Sequence, residues 1–228
     1  MNDSVKTLSM VVVPLFNESE VIRPVLAELC QHFDRVIVVD DCSSDDSYQI
    51  TKSFNVIRAR HSQNLGQGAA IQTGIDIALE ISNWNVLLTY DADGQHQVED
   101  AVKIATVLLE RPDIDVCLGT RFGIAASKVP RMKRLVLKVA TSLTNKITGV
   151  RLTDTHNGLR ALRREAVARI KLSHYRMAHA TEFISLVHQL QLRYMEVPVQ
   201  IRYTSYSIAK GQRLSNGFSI LLDLLRRN

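Results

Sequence analysis

The tripeptide Asp91-Ala92-Asp93 is the part of the sequence best suited to chemistry. It directly follows an apolar run, residues 85–90, which predicts a buried strand. Two carboxylates one residue apart can bind one divalent cation and leave positions open for phosphate oxygens, as Mg²⁺ prefers. The structural alternative is an Asx turn that caps the helix predicted from Val98. Both interpretations place the two acids in a loop at the end of a strand.

Other charged residues also follow apolar runs. Glu18 follows the first run, Asp40 and Asp41 end the second, and Arg121 follows the fifth. A carboxylate at the position of Asp40 or Asp41 can accept hydrogen bonds from a nucleobase or ribose, or it can hold a turn. The charged residues at these strand ends are therefore candidates for one ligand site.

Short apolar runs alternate with helical patterns through the first half of the chain. The runs are about six residues long and rich in Val, Ile and Leu, which predicts buried strands of a parallel sheet. They cover residues 10–16, 35–40, 55–60, 85–90 and 115–120, and the helical segments cover 18–32, 45–53, 68–82 and 98–110. The alternation predicts an α/β fold with a mostly parallel, doubly wound sheet and helices on both faces. Ligands of such sheets bind at the carboxyl ends of the strands.

The second half of the chain is less regular and strongly basic. Residues 1–120 contain 8 Lys and Arg and 18 Asp and Glu, a balance of −10, whereas residues 121–228 contain 20 and 5, a balance of +15. This split predicts a front half that binds cations and a back half that meets an anion or an anionic surface. The elements predicted here are an amphipathic basic helix at 131–148, helices at 164–171 and 181–191, a strand at 193–203 and a basic helix at 216–228.

Composition excludes several classes of protein. The N-terminal residues lack the pattern of a secretory signal, and no run approaches the ~20 apolar residues of a membrane-spanning helix. Cys30, Cys42 and Cys117 show no metal-ligand spacing and fit a reducing cytoplasm. Aromatic residues make up only 6% of the chain and no nucleic-acid-binding motif is present, so we expect no nucleic-acid partner. We therefore expect a cytoplasmic protein, with peripheral membrane contact left open.

Eight sequence motifs stand in a fixed order along the chain, and they are VVVPLFNE (11–18), VIVVDDCSSDDS (36–47), QNLGQGAAIQTG (63–74), LTYDADGQH (89–96), LGTRF (118–122), DTHNGLRALRR (154–164), EVPVQI (196–201) and AKGQ (209–212). In this order the chain resembles family 2 glycosyltransferases of the GT-A fold. Within that family it is most similar to polyprenyl-phosphate sugar transferases such as dolichol-phosphate mannosyltransferase. The resemblance implies a single domain, 1–228, with a nucleotide-sugar and metal half at 1–120 and an acceptor half at 121–228.

The resemblance also implies roles for individual residues. The nucleotide-binding residues that follow from it, with Asp40 as a neighbouring candidate, are Pro14, Phe16, Glu18, Asp40, Asp41, Asp91, Gln95 and Lys210. The residues implied to bind Mg²⁺ or Mn²⁺ are Asp91, Asp93 and Gln95, of which Asp93 is also implied as catalytic. Arg121 and Arg134 match arginines that hold the acceptor phosphate, and further basic candidates for the acceptor are Lys138, Arg202 and Arg213.

Four departures from the family pattern lie in the acceptor half. Lys138 stands where the family often has serine, Ala209 precedes Lys210 in place of serine, and His156-Asn157 replaces Thr-Ser. Thr204 stands where an arginine is expected, with Arg202 two places earlier. These departures leave the donor assignment intact and weaken the acceptor assignment.

The predicted reaction is an inverting, metal-dependent transfer of a sugar from a nucleoside diphosphate, preferably uridine diphosphate, to polyprenyl phosphate. A phosphate monoester has a second pKa of ~6 and is largely dianionic at neutral pH, so it needs no general base. The alternative acceptor is a saccharide hydroxyl in surface-polysaccharide assembly. It would need a base, for which Asp154 and Glu182 are the catalytic candidates.

The partners expected from the sequence are a nucleotide-sugar, one of these acceptors and an anionic membrane. The helix at 131–148 and the tail at 218–227 would rest on the inner face of the cytoplasmic membrane. A non-catalytic nucleotide-sugar sensor is a further alternative, and the intact Asp91-Ala92-Asp93 with Gln95 argues against it. The oligomeric state stays open.

Overall fold

The structure is a computed structural model that describes residues 3–122, 131–155, 157–173 and 179–202, and only the backbone over 131–137. The elements of these residues, in chain order, are α1 Asp3–Leu8, β1 Ser9–Leu15, α2 Ile22–His32, β2 Arg35–Asp40, α3 Ser47–Thr51, β3 Ile57–Arg60, α4 Gln67–Glu80, β4 Val86–Thr89, α5 Val98–Glu110, β5 Val116–Thr120, α6 Arg131–Thr148, β6 Arg160–Arg163, α7 Arg164–Val167, α8 His179–Gln189 and β7 Tyr194–Pro198.

The strands form one seven-stranded sheet in the order β3-β2-β1-β4-β6-β5-β7. Every neighbouring pair is parallel except the two made by β6, which runs antiparallel to β4 and β5. The carboxyl ends of the six other strands therefore share one edge of the sheet with the start of β6. The predicted α/β fold with a mostly parallel sheet is confirmed, and this edge carries the acids identified in the sequence.

Both faces of the sheet are covered, which explains why its central strands are apolar throughout. All seven residues of β1 are buried. Val11 and Val13 pack in the layer that contains α2 and α5, whereas Met10 and Val12 pack in the layer that contains α4 and α8. Successive residues of a strand point to opposite faces, so a strand covered on both sides has no polar face.

The sheet differs from the prediction at β3 and at β6. Residues 55–60 were expected to form a buried strand, but β3 is an edge strand and is mostly exposed, with Ile57 38% exposed. Residues 160–163 form β6, which the sequence did not predict, and the helix predicted over 164–171 covers only α7. Arginines occupy both ends of β6, so it lacks the apolar run that marks the central strands. The helix predicted over 216–228 lies outside the described residues.

Helix α6 has the bounds expected from the sequence, 131–148. Its described buried side chains include three threonines, Thr141, Thr144 and Thr148. By contrast, Val139 is 55% exposed and Ile147 is 51% exposed. The outward side of α6 is therefore partly apolar. No helix among the described residues has the length and hydropathy to cross a membrane.

Candidate functional site

Asp91 and Asp93 lie in the loop after β4, at the carboxyl edge of the sheet. The amide Nε2 of Gln67 donates to Asp91 Oδ1 at 2.8 Å, and His96 Nε2 lies 3.3 Å from Asp91 Oδ2. Gln95 donates its backbone N–H to Asp93 Oδ1 at 3.0 Å and its side-chain amide to Asp93 Oδ2. Asp93 thus forms an Asx turn, but the N-cap of α5 is Gln97 without a side-chain cap bond, so neither acid caps that helix.

Gly158, in the loop that leads into β6, lies directly against the Asp91 carboxylate. A Cβ atom at this position would overlap the carboxylate, lying 2.6 Å from Asp91 Cγ. The hydroxyl of Thr89 donates to the Gly158 carbonyl at 2.7 Å and fixes the backbone there. The position therefore requires glycine so that the backbone can pass close to Asp91.

The two carboxyl groups have opposite pKa shifts. Burial alone would raise the pKa of Asp91, but the hydrogen bond and charge of His96, together with the charges of His179 and Arg160, outweigh it and lower the pKa. Burial and then the negative charge of Asp91 raise the pKa of Asp93 to about 6, and the charge of Glu18 contributes in the same direction. The site therefore brings two acidic groups together in a half-buried place.

The donor atoms of this site fit a divalent cation such as Mg²⁺ or Mn²⁺. Asp91 and Asp93 supply hard oxygen ligands, and the mutual repulsion that raises the pKa of Asp93 would be relieved by a dication. Among the described residues, no group of three or more His, Cys, Asp and Glu side chains could hold a metal ion. The protein would thus supply two carboxylates and Gln95, which suits a cation that takes its remaining ligands from a phosphorylated substrate.

The loop after β1 borders the same site. Phe16 is 43% exposed at its start, whereas Pro14 is buried within β1. The backbone N–H groups of Asn17 and Glu18 donate to the hydroxyls of Ser43 and Ser47 at 2.9 and 2.7 Å. These bonds tie the loop after β1 to the loop after β2, and the charge of Glu18 is felt by Asp93.

Asp40 and Asp41 have internal partners. Asp41 accepts the backbone N–H groups of Leu65 and Gly66 at 2.9 and 2.7 Å, and its Oδ1 lies 2.7 Å from His61 Nδ1. These contacts hold the loop that leads into α4, where Gln67 begins the helix and reaches Asp91. Asp40 accepts the Ser43 N–H at 3.1 Å and pairs with Arg60 at 3.0 Å. Both acids position loops, and a direct contact with nucleotide stays a prediction.

Arg121 and Asp154 form a buried bidentate ion pair. Arg121 donates Nε to Asp154 Oδ2 at 2.6 Å and Nη2 to Oδ1 at 2.7 Å, and its backbone N–H also donates to Oδ2 at 3.0 Å. Glu196 in β7 accepts the backbone N–H groups of Thr153 and Asp154 at 2.9 and 3.1 Å. The structure thus brings a predicted acceptor residue and a predicted catalytic residue together, and Glu196 holds the backbone at Asp154.

The other predicted residues with described side chains are Glu182, Lys138 and Arg202. The backbone N–H of Arg202 donates to the carbonyl of Gln95 at 2.8 Å, and Gln95 in turn binds Asp93. Glu182, in the first turn of α8, accepts the N–H of Ser173 at 2.9 Å and its hydroxyl at 2.5 Å. Arg202 lies 3.7 Å from Glu28 and 3.9 Å from Glu99. Lys138 is exposed on α6, Arg134 is described only by its backbone, and Lys210 and Arg213 lie outside the described residues.

Sequence reasoning missed two residues of the site, Gln67 and Arg160. Gln67 stands at the start of α4, after a Gly66 whose φ is 101°. Arg160 is 5% exposed, lies 4.3 Å above the Phe183 ring, and interacts electrostatically with both Asp91 and Asp154. The position of Arg160 in the motif at 154–164 was the available signal.

The family model of glycosyl transferase family 2 matches residues 10–171, which include the whole of the Asp91 and Asp93 site and the Arg121–Asp154 pair. The chain belongs to this family.

Relatives of this family 2 glycosyltransferase include enzymes named for polyprenyl-phosphate acceptors. The chain is 29% identical to UDP-N-acetylglucosamine–dolichyl-phosphate N-acetylglucosaminyltransferase of Methanococcus voltae over 96% of its own length and 95% of the relative. It is 28% identical to dodecaprenyl-phosphate galacturonate synthase of Rhizobium johnstonii over 98% and 68%. Its fold is similar to that of glucosyl-3-phosphoglycerate synthase from Mycobacterium tuberculosis, with a TM-score of 0.70, 18% identity and coverage of 97% and 78%.

Proposed function

We propose that this enzyme transfers a sugar, with inversion, from uridine diphosphate to polyprenyl phosphate. The Asp91–Asp93 site supports the donor half of the proposal, because its oxygen ligands suit a cation bound to a diphosphate. The two polyprenyl-phosphate relatives support the acceptor half. Mg²⁺ or Mn²⁺ is the proposed cofactor, and uridine diphosphate with Mn²⁺, as bound in the structural neighbour, is the first ligand to test.

The hydrogen bonds of the two candidate bases, Asp154 and Glu182, favour a phosphate acceptor. Both carboxylate oxygens of Asp154 accept N–H groups of Arg121, and Glu182 accepts two hydrogen bonds from Ser173. A carboxylate committed in this way is a poor proton acceptor for a saccharide hydroxyl. A phosphate dianion needs no base, so these contacts favour polyprenyl phosphate over the saccharide alternative.

Each half of the site has a proposed task. A bound divalent cation supplies positive charge to the diphosphate leaving group. Asp91, oriented by Gln67 and His96, and Asp93, oriented by Gln95, are the residues that would hold it. Arg121, fixed by Asp154 close to the same sheet edge, is proposed to attract the acceptor phosphate. Phe16, exposed at the start of the neighbouring loop, is proposed to stack on the nucleobase.

A lipid-linked acceptor also requires contact with a membrane, and α6 is the proposed surface. Val139 and Ile147 present apolar side chains on its outward side, and Lys138 and Lys146 are exposed beside them. An apolar stripe flanked by lysines is suited to an anionic lipid surface. The proposed location is therefore the inner face of the cytoplasmic membrane.

The test is transfer of radiolabelled sugar from a panel of uridine diphosphate sugars to a short-chain polyprenyl phosphate, with Mg²⁺ or Mn²⁺. We expect a product that mild acid hydrolyses, since a glycosyl phosphate is acid-labile and a glycoside is not. Asp93→Asn should abolish transfer, whereas Asp113→Asn, an exposed acid paired with Arg111, is the matched control. An acid-stable product made on a saccharide, or full activity of Asp93→Asn, would refute the proposal.

A further inference from the structure

Arg160 lies at the point where the two halves of the site meet. It begins β6 and is paired with Thr89 of β4 on one side and with Leu118 of β5 on the other. The loop after β4 carries Asp91, and the loop before β6 carries Asp154. The guanidinium interacts electrostatically with both of these carboxylates.

The guanidinium of Arg160 is buried without a direct ionic partner among the described residues. No carboxylate of those residues lies within 4.0 Å of it, and its hydrogen bond is from Nε to the Asn157 carbonyl at 3.4 Å. One face of the guanidinium is covered by the Phe183 ring. Burial lowers the pKa of Arg160 to about 10, opposed by the charges of Asp91 and Asp154, so the group is desolvated and still charged at neutral pH.

An unpaired, buried guanidinium destabilises the folded protein but can bind an anionic ligand strongly. A buried charge that lacks a paired partner destabilises a protein, and an apolar side chain of similar size is often as stable or more stable. None of the Arg160 nitrogens is among the fully buried, unpartnered atoms of the described residues, so the terminal nitrogens are not fully enclosed by the protein. Two N–H-bearing nitrogens in a planar fork are suited to a phosphoryl group.

We propose that Arg160 is a phosphate-binding residue of the transfer site, whose terminal N–H groups receive a phosphoryl group between the Asp91 and Asp154 sides. This inference rests on the proposed function, because the transfer reaction brings two phosphoryl groups to this place, the donor diphosphate and the acceptor phosphate. Both sources offer the same chemistry to a guanidinium, and the experiment separates them.

Arg164 provides a matched control from the same motif. It lies 4.5 Å above the Trp84 ring, as Arg160 lies above Phe183, but it donates to the carbonyls of Ile81 and Leu79 at 2.8 and 3.2 Å. Its role is thus to close the end of α4. We expect Arg164→Met to lower the melting temperature and to leave ligand affinities unchanged.

The experiment compares wild type, Arg160→Met, Arg160→Lys and Arg164→Met. Inorganic pyrophosphate and UDP are titrated calorimetrically with Mn²⁺, the KM for a short-chain polyprenyl phosphate is measured, and each melting temperature is recorded. We expect Arg160→Met to keep or raise the melting temperature and to weaken phosphate binding by about 10-fold or more, with Arg160→Lys between it and wild type. Weaker binding of pyrophosphate and UDP would show that Arg160 binds the donor diphosphate. A raised KM for polyprenyl phosphate, with unchanged pyrophosphate and UDP binding, would show that it binds the acceptor phosphate.

Two results would overturn the inference. In the first, Arg160→Met changes none of the affinities or the KM by more than about threefold. In the second, it loses binding only together with a fall in melting temperature as large as that of Arg164→Met. A wild-type protein that transfers no sugar but binds pyrophosphate in an Arg160-dependent way would refute the proposed function and keep the phosphate site. Either of the first two results, obtained while the wild-type protein transfers sugar, would refute the phosphate site alone.

Discussion

Replacing Gly158 by alanine should disable the enzyme while leaving it folded. The added Cβ would lie 2.6 Å from Asp91 Cγ and 2.8 Å from Asp91 Oδ1, whereas ordinary contacts begin at 3.4 Å. Asp91 Oδ2 is nearer still, so the carboxylate must move by at least about 1 Å, a displacement of a reacting group that can cost roughly 100-fold in rate. That loss corresponds to about 2.7 kcal/mol, within the range of ~1.5–3 kcal/mol for losing a charged hydrogen bond such as the one from Gln67.

The assay is steady-state transfer together with the calorimetric Kd for UDP and Mn²⁺. We expect kcat/KM of Gly158→Ala to fall about 100-fold, with a weaker Kd, because Asp91 loses its place. Gly74→Ala is the control, since its Cβ would overlap the Val12 side chain in the core, away from the site. Overpacking there should cost about 1–3 kcal/mol of stability and leave the Kd unchanged. If kcat/KM of Gly158→Ala stayed within threefold of wild type, the position of the Asp91 carboxylate beside Gly158 would not matter for transfer, and the reasoning would be refuted.

Two further predictions concern the acidic and basic sides of the site. Because burial and the charge of Asp91 raise the pKa of Asp93 to about 6, this carboxyl takes up a proton as the pH falls through 6. Mn²⁺ affinity should thus drop roughly tenfold between pH 7 and pH 5 in calorimetric titrations, and an affinity independent of pH would contradict this. Glu196→Gln should raise the KM for polyprenyl phosphate several-fold without changing the Kd for UDP, because Glu196 holds Thr153 and Asp154. A Kd for UDP that rises as much as the KM for polyprenyl phosphate would contradict this prediction.

The central strands could be predicted because burial on both faces leaves a contiguous apolar run in the sequence. Each of them is covered by helices on both faces, so each must be an apolar run, and β1 is buried at all seven positions. The edge strand β3 and the inserted strand β6 lack this signature for different reasons. Three of the four residues of β3 are exposed, and β6 carries Arg160, which interacts electrostatically with Asp91 and Asp154.

The same distinction applies to the site. Asp91 and Asp93 could be found from the sequence because both acids and the strand before them are contiguous. Gln67 and Arg160 could not, since Gln67 acquires its role from a hydrogen bond to Asp91 and Arg160 from an electrostatic interaction with Asp91, and Asp91 is far from both in the sequence. The place of Asp41 at the end of β2 suggested a nucleotide contact, which stays a prediction, and could not reveal its partners Leu65, Gly66 and His61.

The acidic and basic halves of the sequence are not separate folding units, and β6 is the reason. This strand belongs to the basic half, yet it lies between β4 and β5 of the acidic half and pairs with four residues of β4, from Thr89 opposite Arg160 to Val86 opposite Arg163. A chain that ended at 120 would leave the β4 edge unpaired and remove β7 from β5. The insertion also brings Arg160 of the basic half within electrostatic range of Asp91 of the acidic half, so charges from both halves act at one edge of a sheet that both halves build.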